Sequence, residues 1–574
     1  MKSIKLIFGA GVMSLALTLS GMAAYAENGN PTRTVQNPGQ EQILLTAETM
    51  EFDNYSSFGT PINSTYGILA GSDGGEQKAV IKNLSARTLQ AEFTVYPSPA
   101  DSGKINGGMY FHAKDFADDV DGVDGLNVNI DKDADTDYYR AYVYDFTNGA
   151  YTGIISNTPY REYTGAGVKV KVVVDEERLD VYLDDETIPA ITKNLAYAKK
   201  DGCSVGFRSF HATQTFRNVT ITNVLDRPQS PTVKVLMVGN SYAQDAMTYA
   251  HALAASAGVN MICGVMYYGG CTVQQHADFL TQNKNVYTYF KNGGTDRQSV
   301  TFDDVLFDED WDYVTIQTGQ GLQGSKETFY PYIRTLIAHI ENSVPAAEIG
   351  LFESWAVPSC YENTGNSRLS RYNDNSEFMY QQIIKTFKEL HAENGTAFVI
   401  PSAEGLHRIN ATSVCDNSSA ETSFFRDSTA HVNEKGRYML GLMMFRSITG
   451  RSLSSVTYMP VGYSYGDVPG IDQATAAVVK EVVEGLYESD YTSMNALPET
   501  VAIRYLTVEN AKIAYTEGEY FDYTAMNVYA VYTDGSKKPV EYYNIDIMRP
   551  LVKGDNKVTV SYKGKTSAVY INVN

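Results

Sequence analysis

The spacing of hydrophobic and polar positions changes character twice along this chain. From about Ile43 to Val224, apolar residues alternate with polar ones in short runs. Examples are Leu89-Gln90-Ala91-Glu92-Phe93-Thr94-Val95-Tyr96 and Val168-Lys169-Val170-Lys171-Val172-Val173-Val174, with Gly, Asp and Asn turns between runs. A period of two marks strands buried on one face, so this region reads as all-β. Leu179–Leu183 with the Asp184-Asp185 turn reads as a hairpin arm, and Gly206-Phe207-Arg208 and Phe216–Ile221 close the set. From Val233 to about Ser489 the pattern differs. Apolar runs at 233–238, 260–266, 312–317, 348–353 and 396–400 alternate with helical periods near 243–257, 328–343, 377–394, 433–449 and 472–488. Strand and helix in alternation predict a parallel sheet with crossover helices. The stretch Val501–Asn574 returns to all-β, with hairpin turns at Asp534-Gly535 and Lys563-Gly564.

These changes divide the chain into residues 42–225, 233–490 and 501–574. Residues 226–232 form a proline-bearing linker, and residues 27–41, polar and without period, a flexible leader. Ahead of the leader stand Met1-Lys2-Ser3-Ile4-Lys5, an apolar run from Leu6 to Ala23, and Ala24-Tyr25-Ala26. A basic start, a short apolar run and an A-x-A site predict a secretory signal over residues 1–26. The expected location is therefore secreted or at a bacterial cell surface, without membrane insertion.

At 574 residues the chain exceeds what one core organises. Its net charge of −21 repels nucleic acid and anionic membranes, so neither is expected as a partner. Five cysteines, sparse and odd in number, exclude a disulfide scaffold; Cys263 and Cys271 are either a pair or buried free thiols. The acidic run Asp115, Asp118, Asp119, Asp121, Asp124, Asp131, Asp133, Asp135 and Asp137 has carboxylates of the kind calcium favours. It lacks the glycine and the position-twelve Glu of an EF-hand, that position being Tyr142, so a solvated loop is expected. The eight histidines show no zinc-like pairing, and neither metal nor organic cofactor is expected.

Chemistry concentrates beyond the strand ends of the middle region, where parallel sheets gather active groups. The first strand stops at Gly239-Asn240-Ser241 and turns into a helix. A serine there is either a helix cap or a nucleophile whose own N–H helps hold an oxyanion. After the second strand come Tyr267-Tyr268-Gly269-Gly270-Cys271-Thr272, where glycine lets a backbone N–H face a pocket. After the third come Gln317-Thr318-Gly319-Gln320-Gly321, offering a side-chain amide, and near the end Asp427-Ser428-Thr429-Ala430-His431 ahead of a helix. Asp and His so close together can deliver an oriented base to a serine.

In this order the blocks resemble the SGNH (GDSL-type) hydrolases, in a branch whose first block reads GNS, from Val233 to about Ser489. The resemblance implies a flavodoxin-like, three-layer α/β hydrolase core. It implies Ser241 as nucleophile, His431 as base, Asp427 as acid, and Ser241 and Gly270 as oxyanion donors. The family spaces its last pair Asp-x-x-His, and this chain has one residue more, so Glu404, Asp416 and a backbone carbonyl remain alternatives for orienting the imidazole. The family's Asn in Gly-x-Asn is absent; Gln317 or Gln320 replaces it, with Gln317 favoured because it ends the strand. Tyr242, Tyr267, Tyr268 and Trp355 are expected on a sugar-binding rim, with Trp355 read equally well as a core residue sealing the sheet edge. The N-terminal region, through phrases such as GGMYFHAKD and VGFRSF, resembles the concanavalin-like jelly rolls, and the C-terminal one the bacterial immunoglobulin-like modules. Together these imply a secreted carbohydrate esterase, with attachment to a cell wall or glycan through the flanking β domains. The alternatives are a non-catalytic glycan-binding protein on a degenerate hydrolase fold and a short-chain lipase or thioesterase.

Overall fold

The computed structural model describes residues 32–36, 44–47, 49–55, 68–70, 75–97, 103–116, 123–461, 471–487, 503–532, 536–540, 543–547, 549–562 and 565–574. The signal read at residues 1–26, Asp118, Asp119 and Asp121 of the acidic run, and the turns at Asp534-Gly535 and Lys563-Gly564 lie outside them.

Alternation builds the N-terminal region as two facing antiparallel sheets. Val168, Val170, Val172 and Val174 enter one core with Phe93 and Val95 of the neighbouring strand, while Lys169 and Lys171 point away. From the opposite, larger sheet, Leu126, Val128 and Ile130 fill the same core. Within the expected leader, Thr32–Gln36 pairs antiparallel with Val224–Pro228, which takes in the first residues of the expected linker. Both segments read as coil because neither holds an apolar period long enough to mark a strand.

The middle region is one seven-stranded sheet with helices. Its elements are β1 (Thr232–Gly239), α1 (Ser241–Met247), α2 (Ala250–Ser256), β2 (Asn260–Tyr267), α3 (Val273–Thr281), β3 (Tyr287–Lys291), β4 (Gly294–Val300) and α4 (Phe302–Leu306). They continue with β5 (Tyr313–Ile316), α5 (Tyr332–Ser343), β6 (Glu348–Phe352), α6 (Ser376–Asn394), β7 (Phe398–Ile400), α7 (Ser402–Ile409), α8 (Glu434–Thr449) and α9 (Gln473–Leu486). The sheet order is β4-β3-β2-β1-β5-β6-β7, parallel from β2 to β7, with β3 and β4 an antiparallel edge. Counting parallel strands alone, the order is 2-1-3-4-5, a doubly wound sheet whose direction of winding reverses at β1. Beyond that strand's carboxyl end the loops diverge and leave room for a ligand.

The sandwich is seated on this sheet through a polar seam. Lys193 Nζ lies 2.7 Å from Asp296, both almost wholly buried, and Thr295 N donates to Asn157 Oδ1 at 3.2 Å. The C-terminal region has two three-stranded sheets around Ala530, Leu551, Val558 and Val560. Among the described residues, no helix is long and apolar enough to cross a membrane. Cys263 and Cys271 are free thiols.

Candidate active site

Strand β1 is buried through Val235-Leu236-Met237-Val238 and ends at Gly239. A Cβ at Gly239 would sit 2.3 Å from Gln317 Oε1 and 2.7 Å from the Ala243 Cβ, so the turn into α1 admits no side chain there. Asn240 then caps α1, its Oδ1 accepting from Tyr242 N at 3.0 Å. Its Nδ2 donates to Cys271 O at 2.9 Å and its backbone N–H to Gln317 Oε1 at 3.2 Å. The cap, one of the two readings of Ser241, is thus made by the residue before it. Ser241 becomes the first helical residue, half-buried, with its hydroxyl free for another partner.

That partner is His431, whose Nε2 lies 2.7 Å from Ser241 Oγ. His431 Nδ1 lies 2.7 Å from Asp427 Oδ2. The carboxylate can only accept, so Nδ1 carries the proton, and Nε2 accepts from the Ser241 hydroxyl. Asp427 Oδ1 accepts three more bonds, from Thr429 N at 2.9 Å, Thr429 Oγ1 at 2.6 Å and His431 N at 3.2 Å. Having donated its proton to Asp427, Thr429 Oγ1 turns a lone pair toward His431 Nδ1, 2.8 Å away. Burial pushes the Asp427 carboxyl up, but the hydrogen bonds from Thr429 and His431 outweigh it and hold it below the usual carboxylate range. The extra residue of Asp-x-x-x-His is absorbed by Ala430, which sits in the left-handed region at φ 63° while Ala430 N turns back to Asp427 O. Glu404 is engaged by Tyr380 and Arg408, and Asp416 by Ser418, so neither reaches the imidazole.

The loop carrying the imidazole is held from below. Asp245, one turn after Ser241 and buried, accepts from Arg426 Nη1 at 3.0 Å, Arg437 Nε at 2.9 Å and Val432 N at 3.2 Å. Two aromatic residues expected on a sugar-binding rim do this bracing instead. Tyr242, 2% exposed, donates to Thr429 O at 2.6 Å, and Trp355, 1% exposed, donates from Nε1 to Ala430 O at 2.7 Å. Their rings pack 4.7 Å apart, leaving neither face open to a ligand. Tyr268, half-buried, packs edge-on against Phe279 at 4.9 Å. Arg368 Nη1, which the sequence did not flag, donates to Tyr242 Oη at 3.0 Å and also to Thr429 O.

On the other side of Ser241, Gly270 holds a left-handed φ of 63°. Among the described residues, the N–H groups of Ser241 and Gly270 donate to no protein acceptor. The two glutamines part company here. Gln317 is 0% exposed, and its Nε2 contacts Asn240 Oδ1 at 3.1 Å, Thr318 O at 3.1 Å and Ser354 Oγ at 2.9 Å. Its amide is spent on fixing the Asn240 turn, which corrects the expectation that it faces an oxyanion. Gln320, also left-handed at φ 65°, is exposed, and its Nε2 lies 2.8 Å from where a Cβ on Gly270 would stand. Gly319 allows this approach of loops, since a Cβ there would come 2.4 Å from Asn240 Nδ2.

A DUF4886 family protein from Bacteroides uniformis ATCC 8492 is 25% identical over 46% of this chain and 99% of its own, with a TM-score of 0.40. A carbohydrate-binding module, CBM66, from Bacillus subtilis is 19% identical over 31% of this chain and 94% of its own, with a TM-score of 0.22. A protein from Parabacteroides merdae ATCC 43184 described as a GDSL-like lipase is 13% identical over 38% and 97%, with a TM-score of 0.27. No curated protein matches. Residues 234–467, which hold Ser241, Asp427 and His431, match the model of the family described as a domain of unknown function, DUF4886.

Proposed function

We propose that the middle region is a serine esterase of the SGNH type on a flavodoxin-like three-layer core, with Ser241 as nucleophile, His431 as general base and Asp427 as its orienting acid. The observation that carries this reading is the unbroken line Asp427–His431–Ser241, with 2.7 Å at each step. In the reaction His431 Nε2 takes the Ser241 proton as Oγ forms a bond to the ester carbonyl carbon. The carbonyl oxygen becomes an oxyanion, for which the Ser241 and Gly270 N–H groups and the Gln320 amide are the available donors. As the carbon–oxygen bond to the alcohol breaks, His431 returns the proton to the leaving oxygen. A water molecule, deprotonated by the same imidazole, then attacks the acyl-enzyme and releases the acid. No step calls for a cofactor.

For substrate we propose acetyl or another short acyl group on a carbohydrate, acted on outside the cell. Two features support this: a net charge of −21, which disfavours anionic lipid surfaces, and a β-sandwich seated directly on the sheet that carries the reaction. The signal-like start at residues 1–26 supports export. Hydrolysis of p-nitrophenyl acetate by wild type and Ser241→Ala tests the enzyme reading. The wild type is expected to turn over and the variant to lose on the order of 10³-fold or more in kcat/KM. Equal rates would overturn it.

A further inference from the structure

The outer face of the larger sheet of the N-terminal sandwich carries a polar cluster that the proposed reaction does not use. In strand Asp124–Lys132, Leu126, Val128 and Ile130 face the core, so Asn127, Asn129 and Asp131 face outward. Strand registers set Tyr110, Asn127 and Tyr144 side by side in one row across this face. Arg208, Gly108, Asn129 and Tyr142 form the next row.

Because Gly108 raises no side chain between them, Arg208 reaches across to Asn129, with Nη1 3.1 Å from its Oδ1. On its other side Nη2 lies 3.3 Å from Glu76 Oε2, and Tyr110 donates its hydroxyl to the other oxygen of the same carboxylate. Glu76 balances the guanidinium, and Asp131, on the same face, stands opposite Arg140 in the strand register, so neither sign of charge is in excess here. This floor is also incomplete. Asn127 is 0% exposed, yet neither its Oδ1 nor its Nδ2 has a protein partner, and Arg208 Nε has none either. Buried polar groups left this way cost stability, and native folds keep few of them without a reason.

Around the floor stand aromatic rings. Tyr142 and Tyr144 are half-buried and stacked at 5.4 Å with 14° between their planes. Tyr151, 51% exposed, lies edge-on to Tyr144 at 5.6 Å. A buried amide presenting donor and acceptor side by side suits two adjacent hydroxyls on a ring, and tyrosine faces suit the ring's C–H face. We propose that this face of the sandwich binds a neutral sugar residue of a glycan, with Asn127 and Arg208 Nε completing their hydrogen bonds to its hydroxyls and Tyr142, Tyr144 and Tyr151 forming the wall. The site is distinct from the acyl-transfer site and does not depend on it.

The test is affinity electrophoresis of the full chain through gels holding neutral polysaccharides (galactomannan, arabinoxylan, mixed-linkage β-glucan, levan) or acidic polygalacturonate. At least one neutral polymer is expected to retard wild type and Ser241→Ala equally. Asn127→Ala is expected to weaken that retardation about tenfold, from loss of a buried donor and acceptor. Tyr151→Ala, at an exposed position where folding is not threatened, is expected to weaken it several-fold. Near-UV circular dichroism establishes that each variant is folded. The proposal is overturned if no neutral polymer retards the wild type, if only polygalacturonate does, or if Tyr151→Ala and a folded Asn127→Ala migrate as the wild type does. Loss of retardation in Ser241→Ala would also overturn it, since the sugar would then be held at the acyl site.

Discussion

Two polar clusters in this protein are built in opposite ways. Around Ser241 every supporting group already has its partner: Asn240 is held by Gln317 and Cys271 O, His431 by Asp427, Asp427 by Thr429, and the whole loop by Asp245. Among the described residues, the N–H of Ser241, the N–H of Gly270 and the Gln320 amide, the groups that would meet a reacting ester, are left open. On the outer face of the sandwich the reverse holds, and the buried Asn127 is itself unpaired. A site for bond-making gains from rigid support, because donors fixed before reaction need no reorganisation as charge develops. A site for reversible binding keeps its own hydrogen-bonding capacity for the ligand to satisfy.

The sharpest way to break this contrast is to remove the base. His431→Ala is expected to lower kcat/KM for p-nitrophenyl acetate on the order of 10³–10⁶-fold with little change in urea midpoint; a loss below tenfold would remove His431 from the reaction. Next come the two glutamines. Gln320→Ala is expected to lower kcat by about 10²-fold while leaving stability unchanged, because it loses a donor to the oxyanion and nothing else. Gln317→Ala is expected to lower stability by about 1–3 kcal/mol, because the Asn240 N–H and Ser354 lose a buried partner. Finding the two phenotypes exchanged would restore Gln317 to the oxyanion hole.

Asparagine to leucine separates the clusters directly. Asn240→Leu is expected to destabilise by about 2–3 kcal/mol, since it strands Cys271 O and the Gln317 amide. Asn127→Leu, which removes an amide with no protein partner, is expected to leave the urea midpoint unchanged or raise it. Destabilisation by Asn127→Leu as large as that by Asn240→Leu would erase the distinction. The smallest effect is in pH. The Asp427 carboxyl is held below its ordinary value, so it contributes stability above its unfolded pKa, near 4, and loses it as pH falls through the lower folded value. The difference in urea midpoint between wild type and Asp427→Asn should therefore be larger at pH 6 than at pH 3.

Much of this architecture was legible in residue spacing, and what was missed has physical reasons. The apolar runs marked the five parallel strands because strands buried on both faces must be apolar throughout. The edge hairpin β3–β4 was missed, although Asn292-Gly293 is a turn signal; both residues take left-handed φ, 52° and 84°, as a tight hairpin requires. Its strands, with Thr288, Asp296 and Arg297, lack the apolar continuity of their neighbours. The single helix expected near 243–257 is two, α1 and α2, meeting at Thr248-Tyr249. At the site, a block order along the chain pointed to Ser241, Gly270 and His431. The supporting residues were invisible because their partners are remote: Asp245 meets Arg426 and Arg437 across more than 180 positions of sequence. The spacing of Asp427 looked irregular only because Ala430 takes a conformation that alanine rarely adopts. Whether Gln317 or Gln320 faces outward depended on which amide was already engaged, and strand position alone carries no such information.

Activation of Ser241 by His431 is tested most directly by a fluorophosphonate probe, which phosphonylates activated serines, followed by peptide mass spectrometry. Near-stoichiometric labelling of the peptide containing Ser241 is expected in the wild type, with loss of that label in His431→Ala. Absence of label in the folded wild-type protein, or label that persists at Ser241 without His431, would contradict that activation.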